Sequence, residues 1–150
     1  MAKILFLTLL LFVSPVTLSD EGTIQDKQNM VQYITEHVEC MAKAIYFEAR
    51  GEGQRGMVAV GHVVLNRVNS PKYPSDICDV VYQRHQFSWT KNPPKVTNPT
   101  LMTKAKSIAM SILRGDTKDP TKGSMYFHSS AIDPGWNKKP KAVIGNHIFY

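Results

Sequence analysis

The 150-residue chain holds two cysteines, Cys40 and Cys78, too few for a disulfide-dense scaffold. It contains no internal repeat and no low-complexity tract, so a single domain is the expectation at this length. The longest apolar run, Ile4 to Val13, is about ten residues, against the roughly 20 that a spanning helix needs. No two histidines have the His-x-x-x-His or His-Glu-x-x-His spacing of a zinc peptidase, although His62, His128 and His147 could in principle supply three ligands. Neither a metal nor a cofactor is therefore expected. Acidic residues run out in the second half: residues 84–150 carry eleven Lys and Arg against three Asp.

What is present is unevenly placed. Residues 1–19 contain Lys3 as their only charge, then the apolar block, then small residues around Thr17 and Ser19. That order describes a secretory signal peptide, with cleavage expected after Ser19; the alternative is an uncleaved anchor. Export to the periplasm or the cell exterior follows, with membrane contact only through this segment. In an oxidising compartment Cys40 and Cys78 read as one disulfide, while a nucleophilic cysteine with a histidine is the rival reading. Residues 20–83 carry six basic and nine acidic side chains, net −3, whereas residues 84–150 are net +8. A basic half of an exported protein suits an anionic cell envelope rather than nucleic acid. A solvated lysine-rich surface is the plainer account.

Periodicity predicts helices first and a small sheet late, an α+β class. Asp26 can cap a helix running to about Arg50, with Ile34, Val38, Met41 and Ile45 on one face and Gly51 as its stop. A second helix is predicted from Gln54 to Val68, with a stripe of Met57, Val60, Val64, Leu65 and Val68 and with Gly56, Ala59 and Gly61 permitting close approach. Ser75 or Asp76 can cap a short helix from Ile77 to Gln83. Gln86-Phe87-Ser88-Trp89 falls in a loop before Pro93, Pro94 and Pro99, and a further helix runs from Pro99 or Thr100 to Arg114-Gly115. Short apolar pieces at 125–127 and 144–150 read as strands or a hairpin.

The informative residue is Glu48. It follows Ile45 by three positions and so continues the apolar stripe, where a carboxylate is costly unless satisfied or neutral. Burial and the negative end of the helix dipole both raise its pKa, and a carboxyl protonated near neutrality can serve as a general acid. A structural glutamate paired with Arg50, Arg67 or Arg84 fits the pattern equally. Glu52 lies one turn on, beyond Gly51.

The run Cys40-Met-Ala-Lys-Ala-Ile-Tyr-Phe-Glu-Ala-Arg-Gly-Glu52 resembles the opening motif of the SleB-type cell-wall hydrolases, enzymes associated with spore cortex peptidoglycan. Val64-Leu65-Asn66-Arg67-Val68, Tyr73-Pro74, Ile77 to Gln83, Gln86 to Trp89, Tyr126-Phe127-His128 and Ile144 to Tyr150 continue the likeness in order, over roughly residues 38–150. Residues 20–37 are then a lead and the start of the first helix. The resemblance implies a lysozyme-like domain acting as a monomer on the glycan strands of peptidoglycan, with Glu48 as the catalytic acid. It implies a lytic transglycosylase that needs one carboxyl group, unlike the pair in most glycoside hydrolases. Glu52 and Asp133 are the candidates for a second carboxylate in a hydrolytic muramidase, and a non-catalytic wall-binding module is a further alternative. Gln86, Phe87, Ser88 and Trp89 are the expected cleft, offering hydrogen bonds and flat rings to sugars. Tyr126 and His128, two apart on a strand, are expected to point to one site. His147 and Tyr150 read as structural, and Trp136 as cleft wall or plug.

Overall fold

A computed structural model describes residues 21–150; the predicted signal segment and its cleavage point lie outside the described residues. Helix α1 spans Glu21–Ala49, α2 Gln54–Val68, α3 Ile77–Tyr82 and α4 Pro99–Leu113, with a 3₁₀ turn at Ser88–Lys91. Three short strands follow, β1 Phe127–Ser129, β2 Ala142–Ile144 and β3 His147–Phe149. No helix among the described residues is long and apolar enough to cross a membrane.

Local chemistry accounts for the boundaries. Helix α1 ends where Arg50 and Gly51 turn, and the Glu52 N–H bonds the Ala49 carbonyl at 3.0 Å. Of the two caps expected for α3, Asp76 serves: its carboxylate accepts from the Cys78 and Asp79 N–H groups. Asn98 caps α4 by accepting from Leu101 N–H, with Pro99 in the first turn, where its missing N–H costs nothing.

Two corrections concern α1. It begins at Glu21 rather than after Asp26, and residues 22–36 are all exposed, Ile34 among them at 40%. The core therefore starts one turn later than the stripe suggested, with Val38, Met41 and Ile45, the last two fully buried. Among the described residues no element covers the first half of α1, so hydrophobic spacing continues there without a core. The late apolar pieces are also displaced: the first strand begins at Phe127, and the last piece is the end of one strand and all of the next.

Helices α1, α2, α3 and α4 share the main core, in which Tyr46, Met57, Val60, Val64, Val80 and Ala109 are buried. Gly61 sits at the tightest point, where a side chain would run into Ile112 of α4 and Ile45 of α1. The sheet is antiparallel in the order β1-β3-β2, with Phe127 opposite Phe149 and Ile144 opposite His147. It packs on the far side of α2, through Ile144 and Phe149 against Ala59 and Val63. Each of these small contacts buries a methyl or a ring against a helix, and α2 is thereby covered on both faces. Cys40 and Cys78 form a disulfide that ties α1 to α3, with Cα atoms 5.3 Å apart.

Candidate active site

Glu48 stands in the last turn of α1 and is partly buried. Burial pushes its carboxyl above the usual carboxylate range, while the Trp89 indole N–H and the Arg67 guanidinium pull it back. The indole approach falls short of a well-formed bond, since buried Trp89 Nε1 has no partner of good geometry. Among the described residues Glu48 forms no ion pair at contact distance. Of the three arginines weighed as its partner, Arg50 and Arg84 are exposed, and only Arg67 is buried.

Arg67 comes from the last turn of α2. Its Nε donates to the Met125 carbonyl at 2.8 Å, and its guanidinium lies 5.5 Å from the ring centres of both Tyr73 and Phe87. Its Nη1 is buried without a hydrogen-bond partner. A guanidinium at 4% exposure with an unused donor is costly unless charge balances it. Glu48, once ionised, supplies that balance.

The predicted cleft segment divides in two. Phe87 and Trp89 are 4% and 8% exposed, so neither offers the open face expected for a sugar ring. Phe87 stacks on Trp89 at 6.0 Å between centroids, and Trp89 also packs on Phe47 at 4.8 Å. The physical reason is local: Trp89 in the 3₁₀ turn packs on Phe47 of α1 and Phe87, the residue before the turn, stacks on Trp89, so both rings join the main core. Ser88 is exposed and Gln86 half-buried. Phe87 and Ser88 border a cavity of about 570 Å³ with Tyr82, Arg84, His85, Thr90 and Lys91. Glu48 is not in the wall of that cavity.

Tyr126 and His128 do share a side, as their spacing suggested. Both touch the half-exposed ring of Trp136, at 6.1 and 5.4 Å between centroids. Lys138 Nζ lies 3.7 Å over the Tyr126 ring. His128 has Nδ1 2.8 Å from the Ser129 carbonyl and Nε2 2.9 Å from the Tyr150 hydroxyl. In the neutral ring Nδ1–H therefore donates to the carbonyl, and Nε2 accepts from the tyrosine. Tyr73 adds to this wall: burial, with a hydrogen bond to Tyr126, pushes its phenol up to about 12. The same bond holds the Tyr126 phenol below its ordinary value.

The other carboxylates are occupied elsewhere. Glu52 accepts from Asn146 N–H at 3.0 Å and from Asn146 Nδ2 at 3.1 Å. Asp133 is exposed and accepts from Gly135 N–H at 2.9 Å. The three histidines also serve separately: His62 bonds Thr117, His128 bonds Tyr150, and His147 packs edge-on against Phe127 and Phe149. Cys40 and Cys78 are joined, which leaves neither as a free thiol.

Sequence reading passed over Arg67 and Tyr73 as site residues and left Trp136 undecided. For Arg67 a signal existed, because it breaks the Val60, Val64, Val68 stripe of α2 as Glu48 breaks that of α1. The contacts of Tyr73 and Trp136 are made between distant loops and leave no local pattern.

Comparison with known proteins agrees with the fold. A spore cortex-lytic enzyme of Halalkalibacterium halodurans is 32% identical over 140 residues, covering 91% of this chain and 41% of that protein. The cell wall hydrolase CwlJ of Bacillus subtilis is 30% identical over 132 residues, covering 81% of this chain and 89% of that one. The chain thus spans about two fifths of the first relative's length. The crystal structure of the catalytic domain of Bacillus cereus SleB superposes with a TM-score of 0.66 at 30% identity, covering 77% of this chain and 89% of that one. The catalytic domain of the germination-specific lytic transglycosylase SleB of Bacillus anthracis gives 0.65 at 30% identity, over 75% and 92%. These overlaps bear out the lysozyme-like α+β arrangement. Residues 51–150 match the Cell Wall Hydrolase family, and the chain belongs to that family.

Proposed function

We propose that the protein cleaves the glycan strands of peptidoglycan as a lytic transglycosylase, with Glu48 as its single acid and base. The observation that carries this reading is Glu48 itself. It is a desolvated carboxyl between a buried guanidinium and a buried indole, with its nearest sequence rival, Glu52, committed to Asn146. Burial raises the Glu48 pKa and so favours the protonated form that a general acid uses.

The chemistry then runs in two steps. Glu48 gives its proton to the oxygen bridging N-acetylmuramic acid and N-acetylglucosamine, and the glycosidic bond breaks. The resulting carboxylate is stabilised by the charge of Arg67 and by the Trp89 N–H. The oxocarbenium-like sugar is supported by its own N-acetyl carbonyl. Its 6-hydroxyl attacks the anomeric carbon, and Glu48 takes the hydroxyl proton back, leaving a 1,6-anhydro end. A second carboxylate to activate water has no part in this route.

Trp136, Tyr126 and His128 supply the aromatic and polar wall that a sugar chain needs, and Ser88 adds an exposed hydroxyl and Gln86 a half-buried amide. A wall substrate also accords with the net +8 of residues 84–150 and with export through residues 1–19.

Mass analysis of fragments from purified peptidoglycan tests the reading. Anhydro-muramic ends are expected from the parent, and none above background from Glu48→Gln, which should still sediment with the wall. New reducing ends would replace the transglycosylase by a hydrolase. Cleavage by Glu48→Gln at the parent rate, or release of peptides alone, would overturn the assignment of Glu48.

A further inference from the structure

The junction of α1 and α3, away from the proposed catalytic centre, gathers four side chains of a kind that binds metal. His37 and Cys40 lie one turn apart on α1, and Asp76 and Cys78 lie at the start of α3. His37 Nε2 is 2.6 Å from Asp76 Oδ2. The ligand atoms of His37, Asp76 and Cys78 all fall within 4.8 Å of one another, and Cys40 is bonded to Cys78. Among the described residues this is the group with that composition and closeness.

The division of labour at Asp76 matters. Its Oδ1 caps α3, accepting from Cys78 N–H at 2.8 Å and Asp79 N–H at 3.1 Å. Oδ2 is left for a second partner without uncapping the helix. His37 is 8% exposed and held from the side by the Tyr33 ring, 3.9 Å between centroids. The imidazole is thus already turned inward toward the carboxylate and the sulfurs.

We infer that reduction of the Cys40–Cys78 disulfide converts this junction into a tetrahedral site for a thiophilic divalent cation of the zinc class. The ligands are His37 Nε2, Cys40 Sγ, Asp76 Oδ2 and Cys78 Sγ. A dithiol reductant supplies two electrons and two protons: the S–S bond breaks, each sulfur becomes a thiol, and the dithiol closes to its own disulfide. Metal binding then displaces both thiol protons to solvent. With metal–sulfur distances near 2.3 Å, the two sulfurs sit about 3.7 Å apart, a change made by side-chain rotation at Cys40, within α1, and at Cys78, in the first turn of α3.

The consequence is a link that outlasts reduction. Helix α1, which carries Glu48, stays fastened to α3 and to the segment leading into Trp89, by a covalent bond in oxidising surroundings and by a metal in reducing ones. The inference does not depend on the proposed glycan chemistry.

Cobalt(II) titration of the whole protein tests it. The phosphine-reduced, anaerobic protein should develop a near-ultraviolet thiolate-to-cobalt band and the visible bands of tetrahedral cobalt, saturating at one equivalent and bleached by zinc. The oxidised protein should show neither. His37→Ala, and Asp76→Asn, which keeps an N-cap, should each weaken binding about tenfold or more, the scale of losing a ligand or its support. Absence of the band in the reduced parent would overturn the inference. So would parent-like affinity in both variants, which would leave the cysteines alone as the binding groups. If reduction lowers the helical circular dichroism, zinc must restore it in the parent, and failure to do so also counts against the site.

Discussion

Asn146 holds both oxygens of Glu52, across 94 residues of sequence, with its backbone N–H at 3.0 Å and its side-chain amide at 3.1 Å. The contact fastens the turn between β2 and β3 to the loop that leaves Glu48. A bidentate carboxylate grip of this kind adds geometric specificity and so positions the two elements. Glu52 is in this sense the support of the loop that follows α1.

Gly145 is the residue that makes the grip possible. Its φ is +55°, in the left-handed region, and a methyl group there would overlap the Glu52 carboxylate. Gly145→Ala is expected to lose about 2–4 kcal/mol, from the backbone conformation and from hydrogen bonds to a charged group. Urea unfolding measures the loss. A cost under about 0.5 kcal/mol, the range of an ordinary surface change, would mean that the loop adapts freely.

The Cys40–Cys78 bond closes a separation of 38 residues. In the chain-entropy account a loop of that size stabilises the fold by about 3–4 kcal/mol. Cys40→Ala/Cys78→Ala, measured with a chelator present, should lose that amount in urea yet keep its cleavage activity at temperatures where it is folded. Loss of activity in a fully folded double variant would revive a cysteine nucleophile.

Much of the site was legible because charge on an apolar stripe is an anomaly at any level of description. Glu48 was singled out this way as a candidate, with a structural ion pair fitting the pattern equally, and the end of α1 and the start of α4 followed from Gly51 and Pro99. The same rule misjudged Ile34, since spacing reports which side chains align and not whether anything covers them. Phe87 and Trp89 look alike in sequence whether they face a sugar or a core; only their packing on Phe47 and on each other decides that they are buried. Glu52 with Asn146, and Trp136 with Tyr126 and Tyr150, are contacts between remote loops. No periodicity encodes them.

Burial of Glu48 has a stability consequence of definite sign. Its folded pKa is raised, so the folded state holds the proton more tightly than the unfolded chain. Below about pH 4 both states are protonated and nothing is lost. As pH rises from there through the raised folded value, the parent loses stability, and above it the full penalty applies. Glu48→Gln carries no such penalty. Its melting temperature should match the parent near pH 4 and exceed it at pH 8; equal melting temperatures at both would mean an unburdened carboxyl.

The two phenols beside Arg67 should separate on alkaline titration. The chain has six tyrosines, and Tyr73, at about 12, should be among the last to ionise, with Tyr126 ahead of an ordinary phenol. Tyr73→Phe removes the hydrogen bond that holds Tyr126 down, so the Tyr126 phenol should move upward. Phenolate absorbance follows both changes, and an unmoved early phase in the variant would dissolve the pairing.

Trp89→Phe isolates the influence of the indole N–H on catalysis. The ring stays, so packing against Phe47 and Phe87 is largely kept, while the N–H that lowers the Glu48 pKa is lost. A general acid works in its protonated form, and its activity falls as pH rises through its pKa. With the opposing influence removed, desolvation acts against Arg67 alone, and the Glu48 pKa rises further. The alkaline limb of kcat/KM should therefore move to higher pH, with the protein folded across the range. The same variant should react more slowly at its optimum, because the carboxylate left after proton donation has lost one of its two stabilising donors. A limb that stays in place would separate Trp89 from the chemistry and leave it a packing residue, and a limb that moves to lower pH would mean that the indole raises rather than lowers the Glu48 pKa.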